Sequence, residues 1–154
     1  MKRFDLHTHS IYSDGTYAPV ELVCAAAEVG LSFIALTDHD CMDGVHEAVH
    51  AGEKYGLCVL AGVEFDCAWT HELHILGLGL DADNQALRDA LSAARLRRKA
   101  RNDKIFSQLA LAGCNISPNL SNRSDSCTRL HIAVALKDAG YACSVRDAFE
   151  RFLY

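Results

Sequence analysis

Proline is scarce: Pro19 and Pro118 are the only two in 154 residues. There is no Pro/Gly-rich linker, no internal repeat and no low-complexity stretch, so nothing marks a flexible joint between separate domains. Basic charge is not in excess, since 15 Lys and Arg face 20 Asp and Glu for a formal net charge of -5. That balance argues against broad electrostatic binding to long nucleic acid, although a local basic patch could still hold phosphates. The opening "MKRFDLHTHS" has no apolar stretch of signal-peptide length, and no run long enough to span a membrane follows. Seven cysteines form no CxxC pair and leave an odd count. Most sit in apolar runs, where a free thiol behaves as a small hydrophobe, and the expectation is a reduced, cytoplasmic protein.

What is present is a core-forming composition, 50% apolar, with eight histidines. The first half alternates between two periodicities. "RFDLH" reads as a strand, and "APVELVCAAAEVG" as a helix with Pro19 near its start and Gly30 at its end. "LSFIALT" reads as a buried strand, "MDGVHEAVHAGEKYG" as a helix closed by Gly56, and "LCVLAGVEF" and "HELHILGLGL" as two further strands. Regular alternation of this kind predicts an α/β sheet or barrel of parallel strands with crossover helices. Beyond it, residues 84 to 112 read as one long helix, "GCNISPNLSNRSDSC" as a polar loop, and the stretches near 129 to 139 and 144 to 153 as helices. The expected division is an α/β part over 1–83 and a helical subdomain over 84–154.

In parallel α/β architectures functional groups gather at the carboxyl ends of strands. His7 and His9 end the first predicted strand, Asp14 follows on its loop, Asp38 and His39 of "LTDHD" end the second, Glu64 ends the third and His74 lies in the fourth. His7 and His9, two apart on a strand, point the same way and can reach one ion together. Imidazoles with carboxylates suit a cluster of Zn, Fe or Mn, whose bound water ionises near neutral pH. Taken singly, each residue has a plainer reading. An isolated His-x-His can be incidental, His39 can neighbour a helix cap supplied by Asp40 or Asp43, and Glu64 can be a surface carboxylate. His46, His50 and His71 read as solvated or structural.

Together the motifs resemble a known family. "DLHTHSIYSDGTYAPVELVCAAAEVGLSFIALTDHD", then "GVEF" and "HILGLGL", are similar to the ordered motifs of the polymerase and histidinol phosphatase (PHP) superfamily, and "TRLHIAVALKDAGY" resembles its later His motif. The long helix resembles the insertion of the branch that contains 3′,5′-nucleoside bisphosphate phosphatases and 5′-to-3′ exoribonucleases. The resemblance implies part of a distorted (β/α)7 barrel of parallel strands with an inserted helical subdomain. It also implies two or three divalent cations, manganese first and iron or zinc as alternatives. His7, His9 and Glu64 would hold the first ion, Glu64, His74 and His131 the second, and Asp14 and His39 the third, with a bridging hydroxide attacking phosphorus. The implied substrate is a small nucleotide or the 5′ end of a short RNA.

The family's final His and Asp-x-His motifs are not found here. The expectation is an amino-terminal portion that lacks them and needs a carboxyl-terminal segment or self-association. An inactive metal-binding fragment is therefore a rival reading, and a histidinol-phosphatase-like monoesterase another. An amidohydrolase is disfavoured, because Lys54, Lys99 and Lys104 all fall on predicted helices rather than on a mid-chain strand. On the long helix, one face runs Leu87, Leu91, Ala94, Arg98, Arg101, Ile105. The plainer reading has both arginines snorkelling with their heads in water. The functional one has Arg98 or Arg101 gripping a second phosphate, with Arg129 as a further candidate. Trp69 reads as core or lid.

Overall fold

The computed structural model describes residues 3–67, 73–116 and 127–154. Trp69, His71 and most of the predicted polar loop lie outside the described residues. The elements are β1 (Phe4–Thr8), α1 (Pro19–Glu28), β2 (Phe33–Leu36), α2 (Val45–Tyr55), β3 (Cys58–Cys67), β4 (Leu73–Leu78), α3 (Gln85–Leu111), α4 (Arg129–Asp138) and α5 (Val145–Ala148), with a π-helical turn over Phe149–Leu153. The strands form one sheet in the order β1-β2-β3-β4.

Local sequence sets the boundaries. Pro19 occupies the first turn of α1, where its missing N–H costs nothing, and the Glu21 carboxylate accepts the Ala18 N–H at 2.8 Å. Gly56 ends α2 at φ 67°, a left-handed cap open to glycine. Asn84 caps α3 by accepting the Leu87 N–H at 3.0 Å. The expected cap of α2 by Asp40 or Asp43 is not formed: Gly44 is the N-cap and no side chain bonds there. Asp40 is drawn elsewhere, as described below.

β2 pairs with β1 and β3 in parallel, and its Ile34, Ala35 and Leu36 are fully buried, as a strand covered on both faces must be. Against it pack Val23 and Ala26 of α1, Val45, Ala48 and Ala51 of α2, Val63 of β3 and Leu91 of α3. The all-parallel expectation fails at β4, which runs antiparallel to β3 with Glu64 opposite Leu76. Only residues 68–72 separate the two strands. A parallel return needs a crossover of roughly a dozen residues or more, so the chain can only turn back on itself. The result is a mixed sheet with helices, an α/β fold of half-barrel form.

A second apolar cluster joins Leu109 of α3 to Ile132, Ala133 and Leu136 of α4 and Ala148 of α5. α3 thus supplies Leu91 to one cluster and Leu109 to the other, about 27 Å apart along its axis at 1.5 Å per residue. Among the described residues no helix is long and apolar enough to cross a membrane.

Candidate metal centre

The strand ends converge on one carboxylate. Glu64, 5% exposed on β3, receives His7 Nε2 at 2.9 Å and His9 Nε2 at 3.1 Å on Oε2, and His74 Nδ1 at 2.8 Å on Oε1. His39 Nε2 stands 3.6 Å from Oε2, brought there by a backbone bridge between His39 and Glu64 that extends the β2–β3 pairing past the end of β2. Asp14 closes the other side, its Oδ2 3.4 Å from His39 Nε2 and its Oδ1 3.5 Å from His9 Nδ1. The β1 loop reaches this position because Gly15 lies against the strand end; a Cβ there would sit 2.1 Å from the His9 carbonyl oxygen.

These contacts resolve into three groupings, each with one ligand atom per residue within 4.8 Å of the others: His7, His9 and Glu64; His9, Asp14 and His39; His39, Glu64 and His74. Two donors each about 2.1 Å from one tetrahedral ion stand about 3.4 Å apart, so the observed separations suit shared cations. Four imidazoles and two carboxylates are also a chemically apt donor set for a divalent transition metal. The electrostatics agree. Burial lowers the pKa of His9, assisted by His39 and opposed by Asp14 and Glu64, which favours the neutral ring that a ligand must be. Burial pushes Glu64 upward, but the His7 hydrogen bond and the charges of His39, His7 and His74 outweigh it and hold the carboxyl below its ordinary value. Asp14 follows the same logic through His39 and His9, and falls to about 2.

His131 stands outside the three groupings. Its Nδ1 accepts the Thr128 N–H at 3.1 Å, which occupies one ring nitrogen. Burial lowers its pKa, and its strongest charged neighbour is Asp14, with His39 and Arg98 acting against protonation. The pairing of His131 with Glu64 and His74 that the family resemblance implies is therefore not among the groupings formed here.

Arg98 departs from the snorkelling expectation. It is 4% exposed and donates from Nε at 3.1 Å and Nη2 at 2.7 Å to Asp40 Oδ2, with Asp66 Oδ2 3.4 Å away. Arg101 is half-buried and donates to Asp66 Oδ2 at 2.7 Å. Asp66 Oδ1 in turn lies 3.8 Å from His74 Nε2. The buried Asp40 and the half-buried Asp66, invisible in the helix's own periodicity, pull both guanidinium groups inward. Asp40 itself adopts φ 49°, the only positive φ among non-glycine residues described, and also accepts the Asp66 N–H at 3.0 Å. Arg98, Arg101 and Arg129 line a cavity of about 470 Å³ with Asp14, His39, His74 and Phe149.

Sequence reasoning missed Asp66, Asp40 and Phe149. Asp66 was within reach of the same period-two logic that joined His7 to His9, because it lies two residues beyond Glu64 on β3. Lys54, Lys99 and Lys104 are all exposed on α2 and α3. His46 and His50 lie on α2, away from the cluster, with exposed side chains facing Asp83 and Glu53 respectively.

Comparison with known proteins agrees with this geometry. The chain is 35% identical, over 99% of its length and 55% of the relative's, to a 3′,5′-nucleoside bisphosphate phosphatase of Chromobacterium violaceum. It is 34% identical to a 5′-3′ exoribonuclease of Salmonella typhimurium, over 97% of this chain and 53% of that protein. It therefore spans about half the length of the curated relatives it matches. Among solved structures, a C. violaceum protein described as an amidohydrolase, with bound sulfate and no metal, superposes with a TM-score of 0.90 at 34% identity, over 99% of this chain and 55% of that one. A Bifidobacterium adolescentis protein assigned as a metal-dependent phosphoesterase gives 0.83 at 30% identity, over 99% and 56%. Residues 5–141 match the family described as the PHP domain, and with relatives at 34–35% identity over nearly the whole chain, the chain belongs to the PHP-domain family.

Proposed function

We propose that this chain carries the metal-binding half of a phosphoesterase site, acting on small nucleotides such as a 3′,5′-nucleoside bisphosphate or the 5′ end of a short RNA. The observation that carries the reading is Glu64 ringed by His7, His9, His39 and His74 beside a cavity lined by Arg98, Arg101 and Arg129. The names of the similar phosphatase and exoribonuclease support it. Divalent cations held there, manganese first and iron or zinc next, would supply Lewis-acid charge to phosphoryl oxygens and acidify a water.

The chain's own residues define the rest. Glu64 and Asp14, held below the ordinary carboxylate range, stay anionic at neutral pH and offset cation charge. His7, His9, His39 and His74 supply imidazoles around them. Arg98, committed to Asp40, and Arg101, committed to Asp66 and Asn102, shape the cavity wall, and with Arg129 they add positive charge to the side that a phosphate would face. The amidohydrolase alternative lacks its lysine, since the strand ends offer Glu64 where a bridging lysine would stand.

The test is phosphate release by the purified chain with Mn²⁺ from adenosine 3′,5′-bisphosphate, from a phosphodiester reporter and from histidinol phosphate. Metal-dependent release from the bisphosphate above the other two is expected. Bound metal without release from any substrate favours the second reading, a catalytically inactive metal-binding chain.

A further inference from the structure

Ser10, Ser13 and Asp38 lie behind the cluster, 0%, 2% and 1% exposed, and none contacts the cavity. Three donors converge on the Asp38 carboxylate. The Ser10 N–H reaches Oδ1 at 2.7 Å, the Ser10 hydroxyl reaches Oδ2 at 2.7 Å, and the Ser13 hydroxyl reaches Oδ1 at 2.6 Å. A serine hydroxyl has one proton. With that of Ser13 committed to Asp38, its oxygen can only accept from a further neighbour. The neighbour is His9 Nδ1, 3.2 Å away. The other group near Nδ1, Asp14 Oδ1 at 3.5 Å, is an acceptor as well.

We infer that Ser13, held by Asp38, is a positioning residue that keeps the proton of His9 on Nδ1 and presents Nε2 as the ligand atom beside His7 and Glu64. This resolves an ambiguity in the groupings, where His9 falls both with His7 and Glu64 and with Asp14 and His39. With Nδ1–H directed at Ser13, the ring serves the first grouping through Nε2, 3.1 Å from Glu64 Oε2. The tight turn makes the arrangement possible: the Ser13 and Gly15 N–H groups both return to the Ser10 carbonyl at 3.0 Å, placing the hydroxyl of Ser13 between two strand ends. A hydrogen-bonded partner on the non-ligating nitrogen is how metal-binding histidines are commonly oriented, and its loss typically lowers metal affinity about ten- to a hundredfold.

The inference rests on the proposed metal reading, and one experiment separates their failures. The full chain, labelled with ¹⁵N and loaded with diamagnetic Zn²⁺, is studied by long-range ¹H–¹⁵N correlation of its imidazoles alongside zinc affinity by competition. His9 is expected to be coordinated through Nε2 with an exchange-protected proton on Nδ1. Ser13→Ala is expected to lose that protection and about tenfold or more in zinc affinity, and Ser13→Thr, which keeps the hydroxyl, to recover both. Zinc uptake with His9 coordinated through Nδ1 overturns the positioning role alone, as does a folded Ser13→Ala protein with unchanged spectrum and affinity. The wild-type spectrum decides the tautomer even where a variant does not fold. Failure of the wild type to take up zinc overturns the metal reading and the positioning role together.

Discussion

Replacing Glu64 by glutamine keeps the shape of the side chain and removes the charge that four histidines approach within 3.6 Å. Because Glu64 belongs to two of the three groupings and His7 to one, Glu64→Gln is expected to lose more bound metal per chain than His7→Ala. Elemental analysis of the dialysed proteins checks the order, and equal losses would contradict a bridging role. Asp14 sets a pH dependence in the metal-free protein. Burial alone would raise its pKa, but His39 and His9 bring it from 3.8 to about 2. A folded-state pKa below the unfolded one means that its contribution, on the order of 2 kcal/mol before solvent screening, is complete above 3.8 and lost as pH falls through about 2. Acid unfolding curves of the wild type should carry this slope and those of Asp14→Asn should lack it. At this scale the histidines were legible because strand periodicity and strand-end position are local properties. Asp40 and Arg98 were not, since their pairing joins positions 58 residues apart.

That buried pair is one link between α3 and the sheet, beside the packing of Leu91 and the Arg101–Asp66 contact. Arg98→Met leaves the Asp40 carboxylate, 0% exposed, without its principal counter-charge, and breaking a buried pair on one side costs about 3–5 kcal/mol. Urea unfolding should show that loss. The double substitution Arg98→Met with Asp40→Asn should recover much of it, because no uncompensated charge then stays buried; a double variant as unstable as the single one would contradict the account. The helices themselves were legible in place from periodicity, and α3 at Gln85–Leu111 falls inside the span the sequence predicts, although the α2 cap was not and the last predicted helix is a short α5 followed by a π-helical turn. Its face was harder to place. The buried stripe runs Leu91, Ala94, Arg98, Asn102, Leu109, so the turn after Arg98 buries Asn102, whose amide donates to the Cys127 carbonyl at 2.8 Å, in preference to Arg101. Periodicity gives two adjacent choices there, and tertiary partners decide between them. The direction of β4 depended likewise on the shortness of the connection rather than on the strand's own residues.

On the scale of the whole molecule, the cluster ties together segments that the chain order keeps apart. His7 and His9 come from β1, Asp14 from its loop, His39 from beyond β2, Glu64 from β3 and His74 from β4. Each donor is spaced for a shared cation, and carboxylates and imidazoles face one another across the sheet ends. Any ligand that binds the folded chain and not the unfolded one adds RT ln(1 + [L]/Kd), about 2.7 kcal/mol at a hundredfold excess over Kd. At roughly 2–4 °C per kcal/mol for a chain of this size, Mn²⁺ should raise the midpoint of thermal unfolding by about 5–10 °C over the EDTA-treated protein. His9→Ala should abolish most of that shift. Hydrogen exchange should place the added protection on β1 to β4 and the start of α2. The cluster of Leu109, Ile132, Ala133 and Leu136, which shares only α3 with the sheet's core, should gain less. Equal protection across both clusters would mean that metal binding is coupled to the helical part as tightly as to the sheet, and that His131 draws α4 into the cation site after all.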